Sequence, residues 1–344
     1  MKKIINIVSL LLAFVMIFSL AACGETKEST EAVTESAADS ASGTEDSAAD
    51  DTVVRVAALK GPTAMGMVQM MEDTDKYQFT LSGAVDEVTP LVAKGEVDIA
   101  AVPANLASVL YNTLEGKVQV IAINTLGVLY IVDRGAAVDS VADLKGKTIY
   151  ASGQGATPEY ALNYILEGNG LDPAADVTIE WKSEHAECLS ALMSDENAIA
   201  LLPQPFVTTA GLKDEKVHVS LDLNEEWDKL QADAEEPSGL LTGVAIVRKE
   251  FANEHPQALE QFLKAYGESV DFVKENVEDA AALIGKQDII PEQVARLAIP
   301  ECNITFITGS EMKEKLSGYL NVLFAQNPKA VGGALPLDDF YFDY

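Results

Sequence analysis

From Val53 onward short β-rich runs alternate with helical ones, and no other feature of the chain narrows its possible folds as far. Residues 53–59 (VVRVAAL) read as a strand stopped by Gly61-Pro62. A Met-rich helix is expected over 64–73, a strand over 77–81 and a short helix over 88–94. That helix has Pro90 in its first turn and Gly95 as its stop, positions each residue tolerates well. A strand over 97–102, a helix over 103–112 and a strand over 118–124 complete the unit. Strands separated by helical crossovers lie parallel in one sheet.

A second unit repeats the pattern. A strand over 148–151 runs into the loop Ser152-Gly-Gln-Gly-Ala156. Thr157 is the expected N-cap of the next helix, with Pro158 first inside it and Gly170 ending it. Strands over 177–182 and 198–202 alternate with helices over 186–194 and 205–210, and a long apolar strand covers 240–248. The remainder is helical: 256–276, 277–286, 291–298 and a helix opening at Thr308, where Thr308-Gly-Ser-Glu311 has the form of a capping box. The segments 126–132 and 240–247 share an apolar texture that suits neighbouring strands crossing between the units. The expectation is an α/β fold of two lobes: a discontinuous first lobe, 53–130 plus 243–344, with 131–242 inserted as the second. Two lobes on flexible crossings suit a protein that closes on a small molecule.

Ahead of this body, Met1-Lys2-Lys3 and an apolar run to Ala22 have the layout of a secretory signal peptide over 1–22. Its end, Leu20-Ala-Ala-Cys23, resembles a bacterial lipobox, which makes Cys23 the lipidated first residue of the mature chain. The alternative is an uncleaved anchor, since the run nearly reaches the ~20 residues that span a bilayer. From Gly24 to Thr52 there are nine acidic residues, one lysine and no aromatic residue. Such a segment buries too little apolar surface to offset its ordering entropy, so 23–52 is expected to be a lipidated, disordered acidic tether. The protein then works outside the cytoplasm, on the outer face of a bacterial cell membrane.

A net charge of −30 argues against nucleic acid and against basic-patch binding to anionic lipid, while leaving the ligand open. Cys188 and Cys302 fall in different lobes and read as two buried thiols.

The body resembles the solute-binding proteins of ABC importers, in the nitrate/sulfonate/taurine group with its thiamine-precursor-binding relatives. The resemblance rests on GEVDIAAVPAN at 95–105, DLKGK at 143–147, GLDP at 170–173 and the tail from Gly332-Gly333-Ala-Leu-Pro336 to Tyr341. It implies a type II periplasmic-binding fold whose two lobes are joined by two hinge strands. It also implies an ABC permease as partner, membrane attachment through the lipid, and a monomeric receptor.

Little in the chain points to catalysis. Gly153-Gln-Gly155-Ala-Thr-Pro158 has the place of a dinucleotide loop but lacks the third glycine. His185-Ala-Glu187-Cys188 lacks the cysteine pair of zinc deaminases, and His218 and His255 lack metal-ligand spacing. The three histidines read as surface or helix-start residues. No catalytic residue, metal or cofactor is expected.

Ligands of open α/β sheets bind beyond the carboxyl ends of the strands. The candidate ligand-binding residues are therefore Lys60, Gly61, Thr63, Ala64, Asp86, Glu87, Asn105 and Thr125 in the first lobe. In the second they are Ser152, Gln154, Gly155, Thr157, Trp181 and Gln204. Lys60 and Thr63 suit an anion, whereas Asp86, Glu87 and Glu184 suit a cation or donor-rich ligand. Trp181 is either a stacking group or core. The amide groups at the start of the helix after Ser152 suit an acceptor. Three functions compete: a solute receptor, a signalling or surface lipoprotein of the same fold, and an enzyme resembling the pyrimidine-precursor synthases of thiamine biosynthesis. The last has a cysteine-rich motif that this chain lacks.

Overall fold

The computed structural model describes residues 52–135, 137–234 and 238–344, so the expected signal peptide, Cys23 and residues 24–51 of the expected tether lie outside the described residues. The strands are β1 Val54–Leu59, β2 Tyr77–Ser82, β3 Ile99–Pro103, β4 Val118–Leu126, β5 Leu129–Asp133, β6 Thr148–Ser152, β7 Thr178–Lys182, β8 Ile199–Pro203, β9 His218–Asp222, β10 Leu241–Arg248 and β11 Ile304–Ile307. They form two sheets, in the orders β11-β4-β10-β3-β1-β2 and β7-β6-β8-β5-β9. β1, β2 and β3 are mutually parallel, as are β6, β7 and β8, because a helical segment returns the chain to the same end of the sheet before each new strand. This two-sheet α/β arrangement is the fold class expected from the sequence.

Register places the functional end of each sheet. β10 runs antiparallel to its neighbours, pairing Gly243 with Pro103 at the end of β3 and Leu241 with Leu126 at the end of β4. In the second sheet Leu129, the first residue of β5, pairs with Pro203 at the end of β8. Only Gly127 and Val128 separate β4 from β5, so the carboxyl ends of both parallel sets meet at this crossover. The segment 126–132 is thus two strands in different sheets, and β10, reached after Ser238-Gly239-Leu240, lies wholly in the first sheet. Gly127 cannot be larger: an added Cβ would sit 1.5 Å from Asn224 Oδ1. Its carbonyl accepts from Asn224 Nδ2 at 3.0 Å and from Asn303 Nδ2 at 2.6 Å, which ties both sides of the crossover to one atom.

Several local expectations needed correction. The Met-rich segment forms a helix only over Pro62–Met65, followed by a 3-10 turn at Met70–Glu72. Met65, Met67, Met70 and Met71 are all buried, so packing rather than helical periodicity decides that backbone. The helix expected over 88–94 starts earlier, Val85–Lys94, leaving Pro90 inside it; Gly95 ends it in the left-handed region, φ 71°. Thr157 is the first residue of helix Thr157–Gly168, not its cap, which is Ala156. Thr308 does cap Gly309–Gln326 by position, but without a side-chain hydrogen bond. β9, helix Leu223–Gln231, helix Lys249–Glu254 and β11 were not anticipated.

Helix Pro256–Glu275 packs one face of the first sheet, burying Leu259, Phe262, Leu263 and Tyr266 on an i, i+3, i+4, i+7 stripe. Each such side chain contributes ~1.5–3 kcal/mol of burial. At the sheet end away from the crossovers, buried Asp98 accepts from Arg55 Nε at 2.9 Å and Nη2 at 2.5 Å, and from Arg248 Nη2 at 3.3 Å. Burial opposes the Asp98 charge, but the Arg55 hydrogen bonds outweigh it and hold the carboxyl below its usual range. Cys302 lies in this core and Cys188 under the second sheet; both thiols are raised by burial. Among the described residues no helix is long and apolar enough to cross a membrane.

Candidate functional site

The candidate residues of the first sheet lie after the carboxyl ends of β1, β2 and β3 and near that of β4. After β1, Lys60 is paired with Asp288 at 2.8 Å, Thr63 donates to the Leu59 carbonyl at 2.9 Å, and Ala64 is fully buried. Gly61 adopts φ 135°, where only glycine is comfortable, and is buried. Asp86 and Glu87 are exposed in the first turn of Val85–Lys94, and Glu87 accepts from the Gly83 N–H at 3.2 Å. That is a helix-start role favoured by the macrodipole. Thr125 is fully buried and donates to Asn124 Oδ1 at 3.1 Å.

Asn105, in helix Ala104–Thr113 after β3, and Thr157, at the start of helix Thr157–Gly168 after β6, touch. Thr157 Oγ1 donates to Asn105 Oδ1 at 3.4 Å and accepts from Tyr319 Oη at 3.1 Å. Asn105 Nδ2 donates to the Ala330 carbonyl at 3.1 Å and reaches the Gly155 carbonyl at 3.5 Å. The Thr157 hydroxyl therefore has both its roles filled by protein. Gly155, exposed at φ 78°, donates its N–H to Glu159 Oε2 at 2.6 Å, so a carboxylate already faces that helix start; Gln154 is exposed beside it.

The other face of the second sheet carries a histidine that the sequence reading placed as a surface or helix-start residue. His185 opens helix His185–Ser194 and its Nδ1 is 2.6 Å from Ser152 Oγ. Its ring centroid is 5.4 Å from that of Phe206, the first residue of helix Phe206–Lys213 after β8. Burial pushes the imidazole down to about 4, so it is neutral at ordinary pH. The signal for it was positional: it follows the carboxyl end of β7 by three residues. In the same wall Gln204 is buried, its Oε1 accepting from the Thr208 hydroxyl at 2.8 Å. Its own N–H donates to the Val128 carbonyl at 3.0 Å, joining β8 to the crossover. Trp181 lies apart from these groups, lining a groove with Glu159, Asn163 and Ile179 against the first turns of Thr157–Gly168. Among the described residues no cluster of His, Cys, Asp or Glu could hold a metal ion.

Two α/β sheets with their parallel ends apposed at short crossovers define the class of two-lobed binding folds, and solved structures agree. An ABC transporter protein from Parabacteroides distasonis is 23% identical, covers 85% of this chain and 99% of its own, and superposes with a TM-score of 0.70. The periplasmic aliphatic sulphonate binding protein SsuA from Escherichia coli is 18% identical over 82% of this chain and 95% of its own, TM-score 0.65. The periplasmic nitrate-binding protein NrtA from Synechocystis PCC 6803 is 12% identical over 72% of this chain and 69% of its own, TM-score 0.55. The family described as NMT1/THI5 like matches residues 81–280, and the chain belongs to it. No curated protein matches the sequence.

Proposed function

We propose that the chain is an extracytoplasmic receptor that captures a small polar solute between the two sheet ends and passes it unaltered to an ABC permease. The observation that carries this reading is the meeting of both sets of strand ends at two short crossovers. Family membership and the likeness to transporter-associated binding proteins support it. Division into two lobes at the crossovers, at 127–128 and 238–240, belongs to this proposal, and closure of the lobes would enclose the solute. Loops built from Gly, Ser, Thr, Asn and Gln favour recognition by hydrogen bonds over chemistry on the ligand. The candidate solutes are a sulfonate, taurine or nitrate, or a thiamine precursor. A lipid on Cys23 would hold the receptor at the outer face of the membrane; loss of metabolic lipid labelling in Cys23→Ser is the check.

Small-angle scattering tests the main reading on protein stripped of co-purified solutes by unfolding and refolding. Taurine, methanesulfonate, nitrate and a pyrimidine precursor of thiamine are added in turn. The expected result is a smaller radius of gyration with one of them, and its recovery intact by mass spectrometry. Recovery of an altered product would favour the enzyme, and no compaction with any would reject these solute classes.

A further inference from the structure

The outer edge of the second sheet carries a groove that plays no part in the site described above. Strand β7 is the last strand of that sheet. Between it and helix Thr157–Gly168 lies a groove of about 420 Å³, within the size range of small-molecule sites. Ile179 and Trp181 line it from alternate positions of β7, with Val177 just before the strand. Glu159 and Asn163 line it from one side of the helix, a turn apart. Glu180 and Lys182, on the other face of β7, are spent on each other at 3.1 Å, and Lys182 also lies over the Tyr150 ring. Among the described residues no cation lines the groove.

Three of its groups lack the partner that suits them. Glu159 Oε2 accepts from the Gly155 N–H, but the carboxylate makes no ion pair among the described residues. Asn163 Oδ1 is shut off from solvent and accepts from nothing among the described residues, which costs free energy. Trp181 is half-buried, and no other ring or cation stacks on its indole among the described residues. A carboxylate, an unsatisfied amide oxygen and an indole face all attract the same thing, a positive charge that carries N–H donors. The terminal torsion of an asparagine is broad, so a donor seated in the groove can draw Oδ1 toward it.

We infer that this groove is a second binding site, for a protonated primary amine on a short apolar stem. The stem lies on Val177 and Ile179, and the ammonium sits between Glu159, Asn163 and the face of Trp181. An anion in the same place meets the Glu159 charge with no cation to offset it. A quaternary ammonium satisfies the carboxylate and the indole but has no hydrogen for Asn163. The net charge of −30 raises the local concentration of cations over anions around the whole chain, which favours the same class. The site is built from one strand and one helix of the second sheet, so it stands or falls independently of the reading of the cleft.

The test uses the ¹⁵N-labelled full chain and the indole N–H resonances of its two tryptophans. Trp227 is fully buried and donates to the Ser238 carbonyl at 2.9 Å, so it reports on the fold; Trp181→Phe identifies the other resonance by its loss. The probe is n-butylammonium. Butyrate, n-butanol and tetramethylammonium are the controls for the sign of the charge, the apolar stem and the N–H donors. A saturable shift of the Trp181 resonance is expected with n-butylammonium, at least about tenfold weaker binding with each control, and Trp227 unmoved. Glu159→Gln keeps an acceptor for the Gly155 N–H while removing the charge, and should weaken n-butylammonium about fivefold; Asn163→Leu should do the same. No saturable shift, an equal response to any control, or unchanged affinity in either variant overturns the site. Should Trp181→Phe fail to fold, the backbone amide resonances of 177–181 in the unaltered chain carry the same comparison.

Discussion

Tyr319 and Tyr266 are both fully buried, and burial raises both phenols, yet the fold treats them in opposite ways. Tyr319 donates to Thr157, Thr157 to Asn105, and Asn105 to the Ala330 carbonyl, an unbroken run of bonds between helix Gly309–Gln326, the helix after β6, the helix after β3 and the tail. Tyr266 Oη meets no partner in good hydrogen-bond geometry among the described residues, and only a hydrogen bond from the Asn124 amide draws its phenol partly back from the rise that burial gives it. A buried polar network that is complete fixes one arrangement of its elements; one that is incomplete costs stability until something fills it. The first cluster thus acts as a latch between the sheet ends, and the second leaves a buried hydroxyl poorly satisfied.

Breaking the latch at its centre should give the largest effect. Asn105→Leu removes the acceptor of Thr157 and the donor to Ala330, stranding a buried hydroxyl and a carbonyl. A loss of roughly 2–4 kcal/mol of unfolding free energy is expected from urea titration, from two such groups at ~1–3 kcal/mol each less the gain in apolar burial. A loss under about 1 kcal/mol would mean that the network does not hold the ends together.

The opposite face of the second sheet sharpens the contrast through pH. His185 is bonded to Ser152 and kept neutral, with its pKa down at about 4. The unfolded chain binds that proton near pH 6.5 and the folded one only near 4, so the folded state is favoured in full above about 6.5 and loses ground as pH falls toward 4. The loss is at most about 3 kcal/mol, from a shift of roughly two and a half pKa units at 1.36 kcal/mol each. Urea midpoints measured at pH 7 and pH 4.5 should converge for His185→Gln relative to the wild type. An unchanged pH slope in that variant would show that the imidazole titrates normally.

The alternation of strand and helix made the fold class legible, because period and length report on the local chain. Gly95 and the helices over 256–286 were legible for the same reason. The strands missed, β9 and β11, are short, and their strand geometry comes from pairing with β5 and β4. The sequence places the candidate residues at strand ends but does not say what they bond to. Counting loops at strand ends found Thr157, Asn105 and Ser152, and could not show that Thr157 spends its hydroxyl on Asn105 and Tyr319. It passed over Asn124, one residue from the candidate Thr125, because a residue inside an apolar strand reads as core. It also passed over Tyr266, whose place on a helical stripe is that of any buried aromatic. Hydrogen-bond completeness is a tertiary property, and no spacing rule encodes it.

The smallest expected effect decides most directly between the two tyrosines. Phenylalanine at either position keeps the ring and deletes one hydroxyl, so packing is nearly constant and the bond alone is compared. Tyr319→Phe should lose about 1 kcal/mol, since Thr157 forfeits a donor while keeping its bond to Asn105. Tyr266→Phe should lose nothing, and gain a few tenths if the desolvation of an unpaired hydroxyl is relieved. Both are read from the same denaturant midpoints, with equal slopes confirming that the unfolding transition is unchanged. Equal losses at the two sites would erase the distinction between the well-bonded and the poorly bonded tyrosine. A larger loss at Tyr266 would reverse it, because a hydroxyl whose removal is costly already has its partner.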